Sequence, residues 1–191
     1  MSIFEQAFLR SIQCKQDCIR EGFATLEKMG QVISDSLRGG GKLMLCGNGG
    51  SAADAQHLAA ELLIRLRPSV NRCPLPALTL ALDTSTITAC ANDYSFEELY
   101  SRNVEALANE GDCLIGISTS GNSENILRAL IAARRKNVHA LAFLGNGGGK
   151  CLDACDLAYV VPSGNTASIQ EAHIVAGHAL MELIEVNICE L

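Results

Sequence analysis

Two stretches of this sequence carry more hydrogen-bonding capacity than a simple turn requires. The first is Cys46-Gly47-Asn48-Gly49-Gly50-Ser51-Ala52-Ala53. Its glycines allow close backbone approach to a ligand, and the helix start that follows offers unpaired N–H groups. The second is Ser118-Thr119-Ser120-Gly121-Asn122-Ser123-Glu124-Asn125. It sets the hydroxyls of Ser118, Thr119, Ser120 and Ser123 at a helix start, where the dipole favours negative charge. The chemistry suits a phosphate monoester. Turns of this composition also arise because strands must bend into helices, but two at one sheet edge favour a ligand. Neither loop is followed by Gly-Lys-Ser/Thr, and neither forms a GxGxxG fingerprint, so a nucleotide cofactor is not expected.

Acid/base candidates follow the first loop. In Gln56-His57-Leu58-Ala59-Ala60-Glu61, His57 and Glu61 are four apart and share one helix face. A final helical stretch contributes Gln170, His173 and His178, so three of the four histidines fall on the two helices expected near the ligand. His139 begins a strand and reads as structural. In isolation a His/Glu helix face is a solvated surface or a buried pair; its place just after a phosphate-type loop favours a site.

These residues need a scaffold. Residues 1–38 contain no proline, open with Ser2 and Glu5 in capping-box spacing, and repeat apolar residues (Phe4, Phe8, Ile12, Ile19, Phe23, Leu26) at helical intervals. They predict one long or two consecutive helices that need a surface to lie against. Short apolar runs then alternate with helical stretches. Strands are expected at Lys42–Cys46, Ala77–Leu82, Cys113–Ser118, His139–Leu144 and Leu157–Val161. Helices are expected to start near Ser51, Thr84, Glu97 and Ser123, with a long one from Thr166 to about Cys189. Strands apolar on both faces and separated by helices imply an α/β fold, a doubly wound parallel sheet covered on both sides. The expected organisation is one domain over 1–191: a helical arm (1–38), a parallel core (42–165) and a C-terminal helix (166–189).

Composition narrows the function. With 21 acidic against 15 basic residues, and aromatics at 4% without tryptophan, the chain lacks the basic face and stacking platforms of a nucleic-acid binder. The longest run without Asp, Glu, Lys or Arg, Leu157 to Gln170, contains Pro162 and Gly164 and is too short for a membrane span. Nine cysteines, an odd number, with no leader-like start, read as free thiols in a reducing cytoplasm.

Taken together, Gly47-Asn48-Gly49-Gly50-Ser51-Ala52, Gln56 to Glu61, Asn92-Asp93, Ser118 to Ser123, and Ile169-Gln170-Glu171 through His178 resemble the sedoheptulose 7-phosphate isomerase family of the sugar isomerase (SIS) fold. The resemblance runs along essentially the whole chain. It implies a five-stranded parallel sheet, a homotetramer, and interconversion of D-sedoheptulose 7-phosphate with D-glycero-D-manno-heptose 7-phosphate. That is the first step toward nucleotide-activated heptose for bacterial lipopolysaccharide or other glycans. By the same resemblance Asn48, Gly49, Gly50, Ser51, Glu61, Asn92, Asp93, Ser118, Thr119, Ser120, Ser123 and Gln170 contact substrate. His57, Glu61, Gln170 and His178 hold zinc, and Glu61 with His178 forms the acid/base pair.

Aldose–ketose exchange needs proton carriers beside two neighbouring carbons and stabilisation of an enediolate oxygen, which fits that pair. Gln170 and His178, eight residues apart, lie about 12 Å apart along a straight helix. One of them is therefore expected from another subunit, with the acid/base pair shared between chains through His178. The competing readings are a non-catalytic SIS-fold protein of the type that assembles with the replication initiator DnaA, and an isomerase or sensor for another sugar phosphate.

Overall fold

In the computed structural model, which describes residues 1–189, Ser2 opens the chain as a capping box: its hydroxyl accepts from the Glu5 amide, and Glu5 accepts from the Ser2 amide. Residues 190–191, the end of the expected domain, lie outside the described residues. Helix α1 (Ile3–Glu21) ends at Gly22, whose φ of 81° suits glycine, and α2 (Ala24–Arg38) follows. The helical arm is thus two helices. Only Cys14 and Cys18 of α1 are buried; Phe4, Phe8, Ile12 and Ile19 face outward.

Five strands, β1 (Leu43–Gly47), β2 (Ala77–Thr79), β3 (Cys113–Ser118), β4 (His139–Leu144) and β5 (Leu157–Val160), form one sheet among the described residues. It is parallel throughout, in the order β2-β1-β3-β4-β5. The register pairs Leu43 with Cys113, Cys113 with His139 and Leu141 with Leu157. Period-two alternation sorts the core. Leu43, Leu45, Ile115 and Phe143 face α2, α3 (Gly50–Leu63) and α7 (Thr166–Cys189); Met44, Leu114, Ala140 and Ala142 face α5 (Leu99–Leu107) and α6 (Glu124–Arg135). Helix α4 (Thr84–Asp93) starts on an Asp83 cap that accepts from the Thr86 amide.

Two expectations need adjustment. β2 ends at Thr79: the Leu80 amide still donates to the Leu45 carbonyl at 2.9 Å, and Ala81, at a φ of 55°, then turns the chain out of the sheet, short of the expected Leu82. The helix expected near Glu97 begins as a 3-10 turn at Phe96 and becomes α-helical at Leu99. The β4–β5 connection, Asn146–Ala154, is 3-10 in character and broken by positive φ at Gly147, Gly148 and Gly149. Helix α7 is long and apolar enough to span a bilayer by length and composition. Its apolar residues instead meet α1, α2 and α3.

Candidate active site

Both loops lie at the carboxyl ends of adjacent strands, β1 and β3. In the first, Gly47 must be glycine, since a Cβ there would meet the Ser51 carbonyl oxygen at 2.4 Å. Gly49, at φ 56°, is the cap residue of α3. The buried Tyr100 hydroxyl donates to the Gly47 carbonyl, and burial pushes its pKa up to about 12, so it remains a donor. Ser51 is buried at the head of α3, its amide donating to Asn48. In the second loop, the hydroxyls of Ser118 and Ser123 lie 2.9 Å apart and those of Ser118 and Ser120 3.4 Å apart. Ser123 is the cap residue of α6 but makes no side-chain cap hydrogen bond, which leaves the first-turn amides open to an anion.

The loops are tied together. Asn48 and Asn125 exchange two side-chain amide hydrogen bonds of 2.9 Å each. Asn48, a candidate substrate contact, thus spends its amide on structure, and Asn125, absent from the candidates, is the buried partner that holds it. Backbone packing fixes the serine loop as well. A Cβ on Gly121 would meet the Gly148 carbonyl oxygen at 2.1 Å, and the Gly121 carbonyl accepts from the Cys151 amide at 2.9 Å.

Helices α3 and α7 run side by side in the same direction: Gly50 lies against Gln170, Leu58 against Gly177, and the chain just beyond α3 against Glu185. Between them His57, Glu61 and His178 converge. The His57 Nε2 lies 3.0 Å from Glu61 Oε1 and 3.0 Å from His178 Nε2, and one ligand atom from each residue falls within 4.8 Å of the others. The imidazole centroids are 4.8 Å apart, edge to face.

This donor set fits zinc. Two imidazole nitrogens and one carboxylate oxygen are its usual ligands, and tetrahedral bonds of about 2.0–2.1 Å put neighbouring donors roughly 3.3 Å apart, close to the 3.0 Å that separates His57 from each of its two partners. Asp54, one turn before Leu58, has a carboxylate oxygen buried without a hydrogen-bond partner. Burial raises its pKa, with His57 and His178 pulling the other way. Its helical spacing from His57 and Glu61 was the sequence signal that could have found it.

The structure corrects several expectations. His178 meets Glu61 within one chain, so the acid/base pair does not need two subunits: α7 follows α3 closely enough to present His178 at the level of His57. Gln170 does not join them; its amide nitrogen sits over Gly50 at the loop edge, about 12 Å up the helix from His178. His173, on the same helix, turns into the sheet and not toward His57 and Glu61. It points about 140° around α7 from His178, is 1% exposed, and its Nε2 bonds the Leu144 carbonyl at 3.0 Å. Asn92 and Asp93 are exposed at the end of α4 and bond one another at 2.7 Å; among the described residues no hydrogen bond joins them to either loop. All nine cysteines are free thiols.

A parallel sheet with two anion-ready loops at its carboxyl edge defines the class: residues 7–145 match the SIS domain family. A phosphoheptose isomerase from Chlorobaculum parvum is 50% identical over 181 residues, 94% of this chain and 87% of that protein. Among solved structures, the phosphoheptose isomerase of Neisseria gonorrhoeae superposes with a TM-score of 0.88 at 39% identity, covering 95% and 96% of the two chains. That of Francisella tularensis gives 0.90 at 36%, covering 96% and 98%. The chain belongs to the phosphoheptose isomerase family.

Proposed function

We propose that this protein, a single domain over 1–191, interconverts D-sedoheptulose 7-phosphate and D-glycero-D-manno-heptose 7-phosphate. The observation that carries the reading is the meeting of a carboxylate and an imidazole from two helices, Glu61 and His178, beside His57. A non-catalytic binder of the same fold has no need of that pair. Proton transfer between adjacent carbons, about 1.5 Å apart, requires acid/base groups that both reach one small region, as groups within 4.8 Å of one another do. Glu61 Oε1 faces His57, leaving Oε2 to take a proton from one carbon and return it to the next. His178 then moves the proton between the hydroxyl and carbonyl oxygens. His57, Glu61 and His178 would hold zinc, which when bound supplies Lewis-acid charge for a carbonyl.

The serine loop and the Gly49-Gly50 turn take the phosphate, with Ser118, Thr119, Ser120 and Ser123 as donors. The separation of Gln170 from His178 supports a fourth donor supplied by a neighbouring subunit, hence a homotetramer with interfacial sites; the outward apolar face of α1 supports assembly as well. Asn92 and Asp93, at the exposed end of α4, would add polar contacts to the substrate. The free thiols favour a cytoplasmic setting, and the reaction fits the first step of activated-heptose synthesis.

The test is turnover of sedoheptulose 7-phosphate by Glu61→Gln, with and without chelator. The expected result is a loss of about 10²-fold or more in kcat with substrate binding retained. Near-normal turnover would overturn the assignment.

A further inference from the structure

Two turns beyond His178 on α7, a buried charged cluster joins that helix to the end of α3. Glu185 is fully buried. It lies seven residues after His178, on the same face of α7. Its Oε1 accepts from Arg67 Nε and its Oε2 from Arg72 Nε, both at 2.7 Å. Burial opposes ionisation of Glu185, yet the hydrogen bonds and charge of Arg72 and Arg67 hold its carboxyl below its ordinary range.

Arg72, whose side chain is 3% exposed, does more than pair with this carboxylate. Its Nη2 donates to the Glu61 carbonyl at 2.7 Å and its Nη1 to the Leu62 carbonyl at 2.9 Å. Carbonyls at a helix end lack intrahelical partners, and a cation there also suits the helix dipole. One guanidinium therefore grips the backbone of the residue that carries the proposed base, while its other edge grips the helix that carries the proposed acid. Arg67 differs: it touches Glu185 and, at 3.3 Å, Glu182, but not the carbonyls of α3.

We propose that Arg72 is a positioning residue, fixing the Glu61 carboxylate against His178 by bridging the Glu61 and Leu62 carbonyls to Glu185. This rests on the reading of Glu61 and His178 as the reacting pair. The planar fork of arginine suits the task, since a lysine ammonium cannot reach the carboxylate and both carbonyls together.

The test compares Arg72→Lys, Glu185→Gln, Arg67→Gln and Glu61→Gln in the full-length enzyme, measuring kcat, KM, thermal unfolding, and zinc affinity by competition with a chromophoric chelator. Arg72→Lys is expected to lower kcat and zinc affinity about tenfold each, the usual effect of losing a group that orients a ligand, with KM within about twofold. Glu185→Gln, a milder change that keeps the shape, is expected to lower kcat severalfold and serves if Arg72→Lys does not fold. Arg67→Gln should lower thermal stability but leave kcat and zinc affinity within about twofold. Folded Arg72→Lys or Glu185→Gln with wild-type kcat and zinc affinity overturns the proposal, as does an equal kcat loss in Arg67→Gln, which would mean general stability alone. If Glu61→Gln stays active, the reading of the reacting pair has failed instead.

Discussion

Asn48 illustrates how a residue near a site can serve it indirectly. Its reciprocal amide pair with Asn125 fixes the glycine turn relative to the serine loop, so its side chain supports the donors around it. The serines carry the more direct role. Ser120 and Ser123 should hold the phosphate equally in ground and transition states, so Ser120→Ala/Ser123→Ala is expected to raise KM by about tenfold or more with little change in kcat, given the worth of hydrogen bonds to a charged group. Steady-state kinetics on the double variant checks this, and an unchanged KM would put the phosphate elsewhere. The serine cluster and the His57–Glu61 pair were legible because both depend on spacing within one loop or helix. Asn125 was not, because its role comes from Asn48, which a distant segment places beside it.

At the scale of the element, the parallel pair α3 and α7 decides what meets. Gly177 lets Leu58 close against the α7 backbone; a Cβ there would meet the Leu58 methyls at 2.6 and 2.7 Å. Since Leu58 is fully buried, Gly177→Ala is expected to cost about 1–3 kcal/mol, the range for overpacking a core. By moving His178 off Glu61 it should also lower kcat more than KM. Denaturant unfolding and kinetics on the same preparation check both.

His173 makes α7 sensitive to acid for a separate reason. Burial lowers its pKa to about 4, the Leu144 carbonyl opposing that shift, whereas the unfolded chain takes up the proton near 6.5. Between those values the unfolded state binds more protons, so stability is lost as pH falls from about 6.5 to about 4, by up to ~1.4 kcal/mol per unit. His173→Gln keeps a donor for the Leu144 carbonyl and should flatten that slope in urea unfolding compared at pH 7 and pH 5. The sequence put His173 on a helix expected near the ligand, together with Gln170 and His178; only the sheet, by claiming one face of α7, shows which histidine turns inward.

For the molecule as a whole, alternation of apolar runs and helical stretches made the five-stranded parallel sheet legible, and strands such as Cys113–Ser118 are bounded by the turns on either side. What one sequence could not fix was which side chains on separate helices share a level. That depends on the register of α3 against α7, and it moved His178 into the company of Glu61 while leaving Gln170 at the loop edge. The expectation for mixed assemblies changes accordingly. Tetramers mixed from Glu61→Gln and Gln170→Ala chains should regain activity at about a quarter of sites if assortment is random and Gln170 acts across an interface. Mixtures of Glu61→Gln with His178→Ala should stay as inactive as the parents. Native mass spectrometry of tagged chains establishes that mixing occurred, and recovery in the second mixture alone would reverse the assignment.

The contact between Gly121 and Gly148, backbone on backbone with no side chain between them, bears on the energetics of capture. A loop already wedged in its working shape has little chain entropy to surrender when an anion arrives, so more of the interaction energy appears as affinity. The flexibility of glycine in the unfolded chain is spent once, during folding, and the folded enzyme meets each substrate with a rigid cradle.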